Sequence, residues 1–351
     1  MPQNVCRRLR DTRSIVACSY AHHWGTTSLH KDNTMRERPF IKTVVIAGAG
    51  VMGASMGQIF ARYGYDVVLY GRTPETIEKG KALIALNQRA MIEQGVCTED
   101  ESRHIVSRIS FSTDKTATFS RADFVIESIV EHMEAKKTFW AEISRLVADD
   151  VVVTSNTSGL SITEMGTAVH RPQRFAGMHW VNPPHIVPLV EIISGAKTGP
   201  EALDIIRDVA LSLHRKPVLV KGDPQGFVLN RLQFAVLREA LHIVESGYAT
   251  KEDVDVVMKY GLGMRYSCIG PFETVDIGGL DTFCRIAGYL FADLSDAKDV
   301  SPLLADPYNN GDYGVKTGKG FYDYSNGRAA QVIEKRDKDF LKVAQCLFGK
   351  P

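Results

Sequence analysis

Neither sign of charge dominates this chain. Across 351 residues, 42 Lys and Arg stand against 41 Asp and Glu, a formal charge of +1. That balance excludes a bulk basic field for nucleic acid, so any polyanion site must be local. Paired cysteines are also missing. The six present (Cys6, Cys18, Cys97, Cys268, Cys284 and Cys346) are scattered without a C-x-x-C spacing. This excludes a zinc ribbon and a disulfide framework, and points to reduced thiols in a cytosol-like compartment. No metal motif occurs among the ten histidines, and no apolar secretory segment opens the chain. One uncharged run, Thr43 to Ala61, is long enough to cross a bilayer and holds Gly53-x-x-x-Gly57. Four glycines and three polar residues interrupt it, so two elements joined by a glycine turn account for it better. Neither a membrane nor a nucleic acid is expected as a partner.

What is present reads as ordinary globular composition, 44% apolar and 24% charged. The length suits about two domains. Residues 1–39 stand apart: Arg7, Arg8, Arg10 and Arg13 come early, and Asp11 is the only acid before Asp32. They read as an unstructured extension, with a mitochondrial transit peptide as the alternative. Asp11 and His22-His23-Trp24-Gly25 spoil an amphipathic helix, so a cytoplasmic location is expected, or a mitochondrial one if the segment is a leader.

Residues 40–222 read as a Rossmann-type α/β domain with a doubly wound, mainly parallel sheet. Val44-Val45-Ile46-Ala47 is a β-branched run without alternation, suited to a strand buried on both faces. It runs into Gly48-Ala49-Gly50-Val51-Met52-Gly53, then a helix to about Tyr63 and a second strand, Asp66 to Tyr70. The glycines suit a tight turn, close approach of a pyrophosphate and helix–sheet packing. The helix N-terminus at Val51 and Met52 offers N–H groups to phosphate. NAD sites usually place an acid at the end of the second strand, but Gly71-Arg72-Thr73 stands here. Arg72 suits a 2′-phosphate, so NADP remains open beside NAD. Thr73-Pro74 starts a helical hairpin that breaks near Gly95, and Thr98-x-x-Glu101 caps its second arm. Further strands are expected at 123–127, 150–154, 174–180, 189–193 and 217–220, with a helix over 131–146 and a second capping box at Ser161-x-x-Glu164. Ser158 and Asn182 fall at carboxyl ends of strands, where such sheets bind ligands.

After the turn-rich 221–226 segment the period becomes 3.6. Leu229, Leu232, Val236, Leu237, Ala240, Leu241 and Val244 share one helical face. Residues 223–326 therefore read as an all-α substrate and dimerisation domain, and 327–351 as a charged peripheral tail. Among the histidines, His179 ends a strand near the expected cleft, and Glu191 on the next strand could fix its tautomer and leave one nitrogen as a base. His185 is its nearest rival. Spacing does not separate the two.

From Lys42 to about Ser325 the chain resembles the L-3-hydroxyacyl-CoA dehydrogenase family, in its short 3-hydroxybutyryl-CoA form. The resemblance rests on GAGVMG (48–53), SNTSGLSITE (155–164), RFAGMHWVNPPHIVPLVEII (174–193), GFVLNR (226–231), GPFE (270–273) and KTGKGFYDY (316–324). It implies an NAD-linked oxidoreductase acting on acyl-CoA, with His179 as base and Glu191 as its partner. By the same resemblance Ser158 and Asn230 lie around the substrate oxygen, and Glu131, Lys136, Ser158, Asn182 and Lys316 contact the cofactor. Lys79, Lys81 and Arg89 are candidates for the CoA phosphates, or a solvated helix face. Relatives of this fold also act on non-CoA hydroxy acids such as gulonate or carnitine, and lens crystallins kept it for a structural role.

Overall fold

A computed structural model describes residues 41–348. The 1–39 extension, with Cys6 and Cys18, lies outside the described residues. Strand β1 (Thr43–Ala47) leads through the glycine loop to helix α1 (Val51–Arg62), and β2 (Asp66–Tyr70) completes the βαβ unit. The hairpin follows as α2 (Pro74–Glu93) and α3 (Glu99–Ser107). Thr73 caps the first arm, and Thr98 and Glu101 make the reciprocal capping box on the second. Two short elements, β3 (Ile109–Ser112) and α4 (Lys115–Phe119), carry little sequence signal. Next come β4 (Phe124–Glu127), α5 (Met133–Ile143), β5 (Val152–Ser155), α6 (Ile162–Gly166), β6 (Phe175–Trp180), β7 (Leu189–Ile193), α7 (Pro200–Ser212) and β8 (Lys216–Val220).

The sheet order is β3-β2-β1-β4-β5-β6-β7-β8. All pairings are parallel except β6 with β7. The chain reverses direction across the sheet between β1 and β4, where such folds open a crevice at the strand carboxyl ends. The missing alternation in β1 has its expected cause. Val44 and Ile46 join a core with α1, α2, α3 and α7, while Val45 and Ala47 join a second core with α4, α5 and α6. Helix α5 starts two residues later than expected because His132 caps it and Glu131 turns away to bond Ser158. Ser161 caps α6, but Glu164 does not reciprocate. Asp223 accepts from the hydroxyls of Ser161 and Thr163, at 2.5 and 2.9 Å, and so ties the 221–226 segment to the sheet domain.

The helical half comprises α8 (Leu229–Glu245), α9 (Lys251–Val257), α10 (Gly263–Tyr266), α11 (Pro271–Gly278), α12 (Leu280–Leu290) and α13 (Pro302–Asn309). The apolar stripe read on α8 is only partly covered: Leu232 is 58% exposed and Val236 42%, while Leu229, Leu237, Ala240, Leu241 and Val244 are half-buried. From residue 228 to 343 no described residue is buried. Beyond Gly327 the charged tail forms one helix, α14 (Arg328–Phe348), in which Ala344 is buried.

Candidate active site

Strands β6 and β7 are antiparallel, so residues directly opposed share one face. His179 and Glu191 are such a pair. Their side chains meet at 2.8 Å between Nδ1 and Oε2, with 7% and 1% of the residues exposed. A carboxylate only accepts, so Nδ1 carries the proton and Nε2 of the neutral ring is left with its lone pair. Nε2 has no hydrogen-bond partner among the described residues. The other carboxylate oxygen, Oε1, accepts the backbone N–H groups of Val228 and Leu229, each at 2.9 Å. Glu191 therefore caps α8, whose own N-cap, Val228, makes no side-chain bond. Burial works to raise the Glu191 carboxyl, but the His179 bond and the two N–H groups outweigh it and hold it below the usual carboxylate range. Phe227, fully buried, sits 5.8 Å from the His179 ring and limits its movement.

Ser158 follows β5 and is exposed. Its N–H and its Oγ both donate to Glu131 Oε1, at 2.8 and 3.0 Å, and Thr157 Oγ1 donates there at 2.7 Å. Burial raises the Glu131 carboxyl, and these donors together with Lys136 more than reverse it, leaving it lowered. With its proton directed to Glu131, the Ser158 hydroxyl presents lone pairs to the cleft. Asn230 is not the N-cap of α8. It lies inside the first turn, and its Nδ2 donates to the Ser158 carbonyl at 2.7 Å, joining the two halves of the chain at the site. Lys136 is only 1% exposed and its Nζ meets Glu127 at 2.5 Å and Glu131 at 3.4 Å. It holds Glu131 from beneath.

The glycine loop fits a dinucleotide. Gly48 has φ of 112°, and a Cβ there would lie 2.4 Å from the Ser128 carbonyl. A Cβ on Gly53 would lie 1.8 Å from the Gly48 carbonyl. Gly50 faces open space and caps α1 without a side chain, so the first-turn N–H groups of Val51 and Met52 point into a cradle that phosphate can enter. At the end of β2 a Cβ on Gly71 would meet Ile77 Cδ1 at 2.6 Å, so Ile77 would have to shift to admit an acid. Arg72 beside it is exposed.

Other expected residues are spread more widely. Asn182 is exposed just past β6. Lys316 is exposed in the turn bridged by Gly314 and Lys319 and makes no hydrogen bond or ion pair to the other site residues. Lys81 is engaged by Glu78 at 2.7 Å and by the Phe111 ring. His185, the rival base, has no hydrogen-bonded carboxylate among the described residues, though the Asp337 charge acts on it, and its Nδ1 is buried without a bond. Burial pushes its imidazole below the usual value. Sequence reasoning missed the cleft that continues from Ser158 and Asn230 along α8, about 990 Å³ in volume and lined by Arg231, Arg238, His242 and Lys298. The i, i+7, i+11 spacing of Arg231, Arg238 and His242 on one helical face was its available signal.

Comparison with known proteins places both halves of the chain in one family. Residues 43–223 match the NAD binding domain of 3-hydroxyacyl-CoA dehydrogenase, and residues 226–324 match its C-terminal domain. A 5-formyl-3-hydroxy-2-methylpyridine 4-carboxylate 5-dehydrogenase of Mesorhizobium japonicum is 34% identical over 310 residues, covering 88% of this chain and 99% of that one. A probable 3-hydroxybutyryl-CoA dehydrogenase of Bacillus subtilis is 38% identical over 286 residues, covering 81% and 98%. The crystal structure of a 5-formyl-3-hydroxy-2-methylpyridine 4-carboxylic acid 5-dehydrogenase, described as an NAD+ dependent dismutase, superposes with a TM-score of 0.82 at 34% identity, covering 89% and 100%. The chain belongs to the 3-hydroxyacyl-CoA dehydrogenase family, NAD-binding oxidoreductases of Rossmann-type fold.

Proposed function

We propose that the protein interconverts a short-chain (S)-3-hydroxyacyl-CoA, such as 3-hydroxybutyryl-CoA, and the 3-oxoacyl-CoA. The observation that carries this reading is the buried His179–Glu191 pair at the same end of the sheet as the glycine loop. Bound NAD supplies the hydride acceptor. His179 takes the hydroxyl proton on Nε2 and returns it in the reverse direction. Glu191 keeps Nδ1 protonated and stabilises the imidazolium that forms. The one hydroxyl proton faces His179 Nε2, the second Nδ2 proton of Asn230 is available to the developing oxygen charge, and Ser158 donates to the same oxygen once its hydroxyl leaves Glu131. Arg231 and Arg238 suit the anionic part of the substrate.

The decisive assay is reduction of acetoacetyl-CoA followed by nicotinamide absorbance, with NADH and NADPH in parallel. Turnover in the wild type and its loss in a folded His179→Gln variant are expected. Full turnover by that variant overturns the mechanism. A second reading, a small non-CoA carboxylate substrate, is favoured by the longer match to the pyridine dehydrogenase, 310 residues against 286. Turnover of the formylpyridine carboxylate with none of the CoA thioester would select it.

The helical half supports assembly with a second copy. Phe272 is 86% exposed, Ile277 74% and Phe291 73%, and a segment this long with no buried residue cannot offset its chain entropy alone. A twofold pairing of these helices covers the apolar faces. Light scattering at twice the monomer mass, reduced to one by Phe272→Asp with Phe291→Asp, is the expected result. A monomeric wild type refutes it. No helix of the described residues is long and apolar enough to cross a membrane. The free thiols of Cys97, Cys284 and Cys346 support a reducing compartment, and the natural N-terminus tests whether residues 1–39 are a leader.

A further inference from the structure

We propose that the cavity enclosed by α1, α2 and α14 is a binding site for a small oxyanion, a carboxylate or phosphate group, held by Arg62 and Arg215. The cavity is about 100 Å³, room for roughly three waters or one such group, and shares no residue with the catalytic pair or the glycine loop.

Its charges are unbalanced. Arg215 is 8% exposed, and its Nε and Nη1 donate only to the carbonyls of Leu213 and Pro184, at 3.2 and 3.1 Å. Its guanidinium lies 5.7 Å from the Trp180 ring. Burial lowers the Arg215 guanidinium, Tyr63 offsets part of this, Arg62 lowers it further, and no carboxylate is among the groups acting on it. Two neighbouring cations in a half-closed space, against a single lining carboxylate, leave a place for an anion. The polar surroundings agree. His185 lines the cavity and its Nδ1 is buried without a partner, while Asn87 and Gln94 add amide groups. Asp337 from α14 is the one carboxylate on the wall, and Arg336 already engages it at 2.7 Å. Arg215 stacks on the residue that follows His179 in β6, so occupancy of the cavity bears on the strand that carries the base.

The test needs no substrate and is independent of the catalytic reading. Thermal unfolding of the full chain is followed against inorganic phosphate, acetate and, at matched ionic strength, chloride, all with NAD present to fill the glycine loop. A saturable rise in Tm with phosphate or acetate beyond that with chloride is expected. Arg62→Gln should weaken half-saturation about tenfold, the loss of one charge-assisted contact. Asp337→Asn should tighten it, an opposite sign that general destabilisation cannot mimic. A rise no larger than that from chloride, or an identical rise in Arg62→Gln, overturns the proposal. So does a weaker response in Asp337→Asn.

Discussion

Glutamine in place of Glu191 keeps the size of the side chain and removes its charge. The native carboxylate accepts three hydrogen bonds, from His179 Nδ1 at 2.8 Å and from the N–H groups of Val228 and Leu229 at 2.9 Å. An amide has one accepting oxygen. Turned toward His179, it faces its NH2 against two backbone donors at the start of α8. Turned toward α8, it offers a donor to Nδ1, drives the imidazole proton to Nε2, and leaves no base in the cleft. Either arrangement leaves a buried group unsatisfied, at about 1–3 kcal/mol. The wrong tautomer or a misplaced ring lowers kcat by about 10²–10⁴. Steady-state reduction of acetoacetyl-CoA measures the rate, and calorimetry measures a Tm drop of roughly 2–4 °C per kcal/mol lost. A Glu191→Gln enzyme within about threefold of the wild-type rate, with unchanged Tm, would refute the claim that this carboxylate sets the tautomer, since a lost tautomer alone removes orders of magnitude.

Other outcomes follow from neighbouring groups. Glu191, Glu131 and Asp223 all have folded pKa values below their ordinary ones, so their stabilisation is complete above about pH 4.5 and is lost as pH falls through the lower folded values. Tm should therefore fall steeply only below that point, and Asp223→Asn should reduce the slope; an unchanged slope would contradict the assignment. Lys136→Met strands the fully buried Glu127 without its cation and should cost about 3–5 kcal/mol in urea unfolding. A stability change under about 1 kcal/mol would show the pair to be incidental. Gly53→Ala forces a Cβ against the Gly48 carbonyl and should weaken NAD binding at least about tenfold by calorimetric titration, while native-like affinity would mean the loop is not the cradle.

Much of the sheet domain was readable from residue order, because local rules and tertiary demands agree there. The strands around the glycine loop and the caps at Thr73 and Thr98 depend on contacts within a few residues. What escaped reading depends on distant partners. Strand β3 and helix α4 are too short to carry a period, and their place is set by pairing with β2. At Ser161 the hydroxyl still accepts from the Glu164 N–H while donating to Asp223, 62 residues away, and the Glu164 carboxylate faces Lys137 instead of closing the box. Asn230 suits an N-cap by residue type, yet Glu191 from β7 already does that work. The burial of Lys136 against Glu127 leaves no local signal in the sequence. The cleft arginines of α8 and the cavity under α14 arise only when segments more than a hundred residues apart come together.

A single carboxylate therefore serves two masters, one oxygen for the His179 ring and one for the opening turn of the helical half. The nucleotide half severed near residue 225 would keep its phosphate cradle and could still hold coenzyme. It would forfeit competence, because the freed oxygen would turn to solvent and the ring would lose its anchor. Gene fusions or splits in this lineage should respect that seam, and a complementation assay with the two separated fragments would reveal chemistry only when both are supplied.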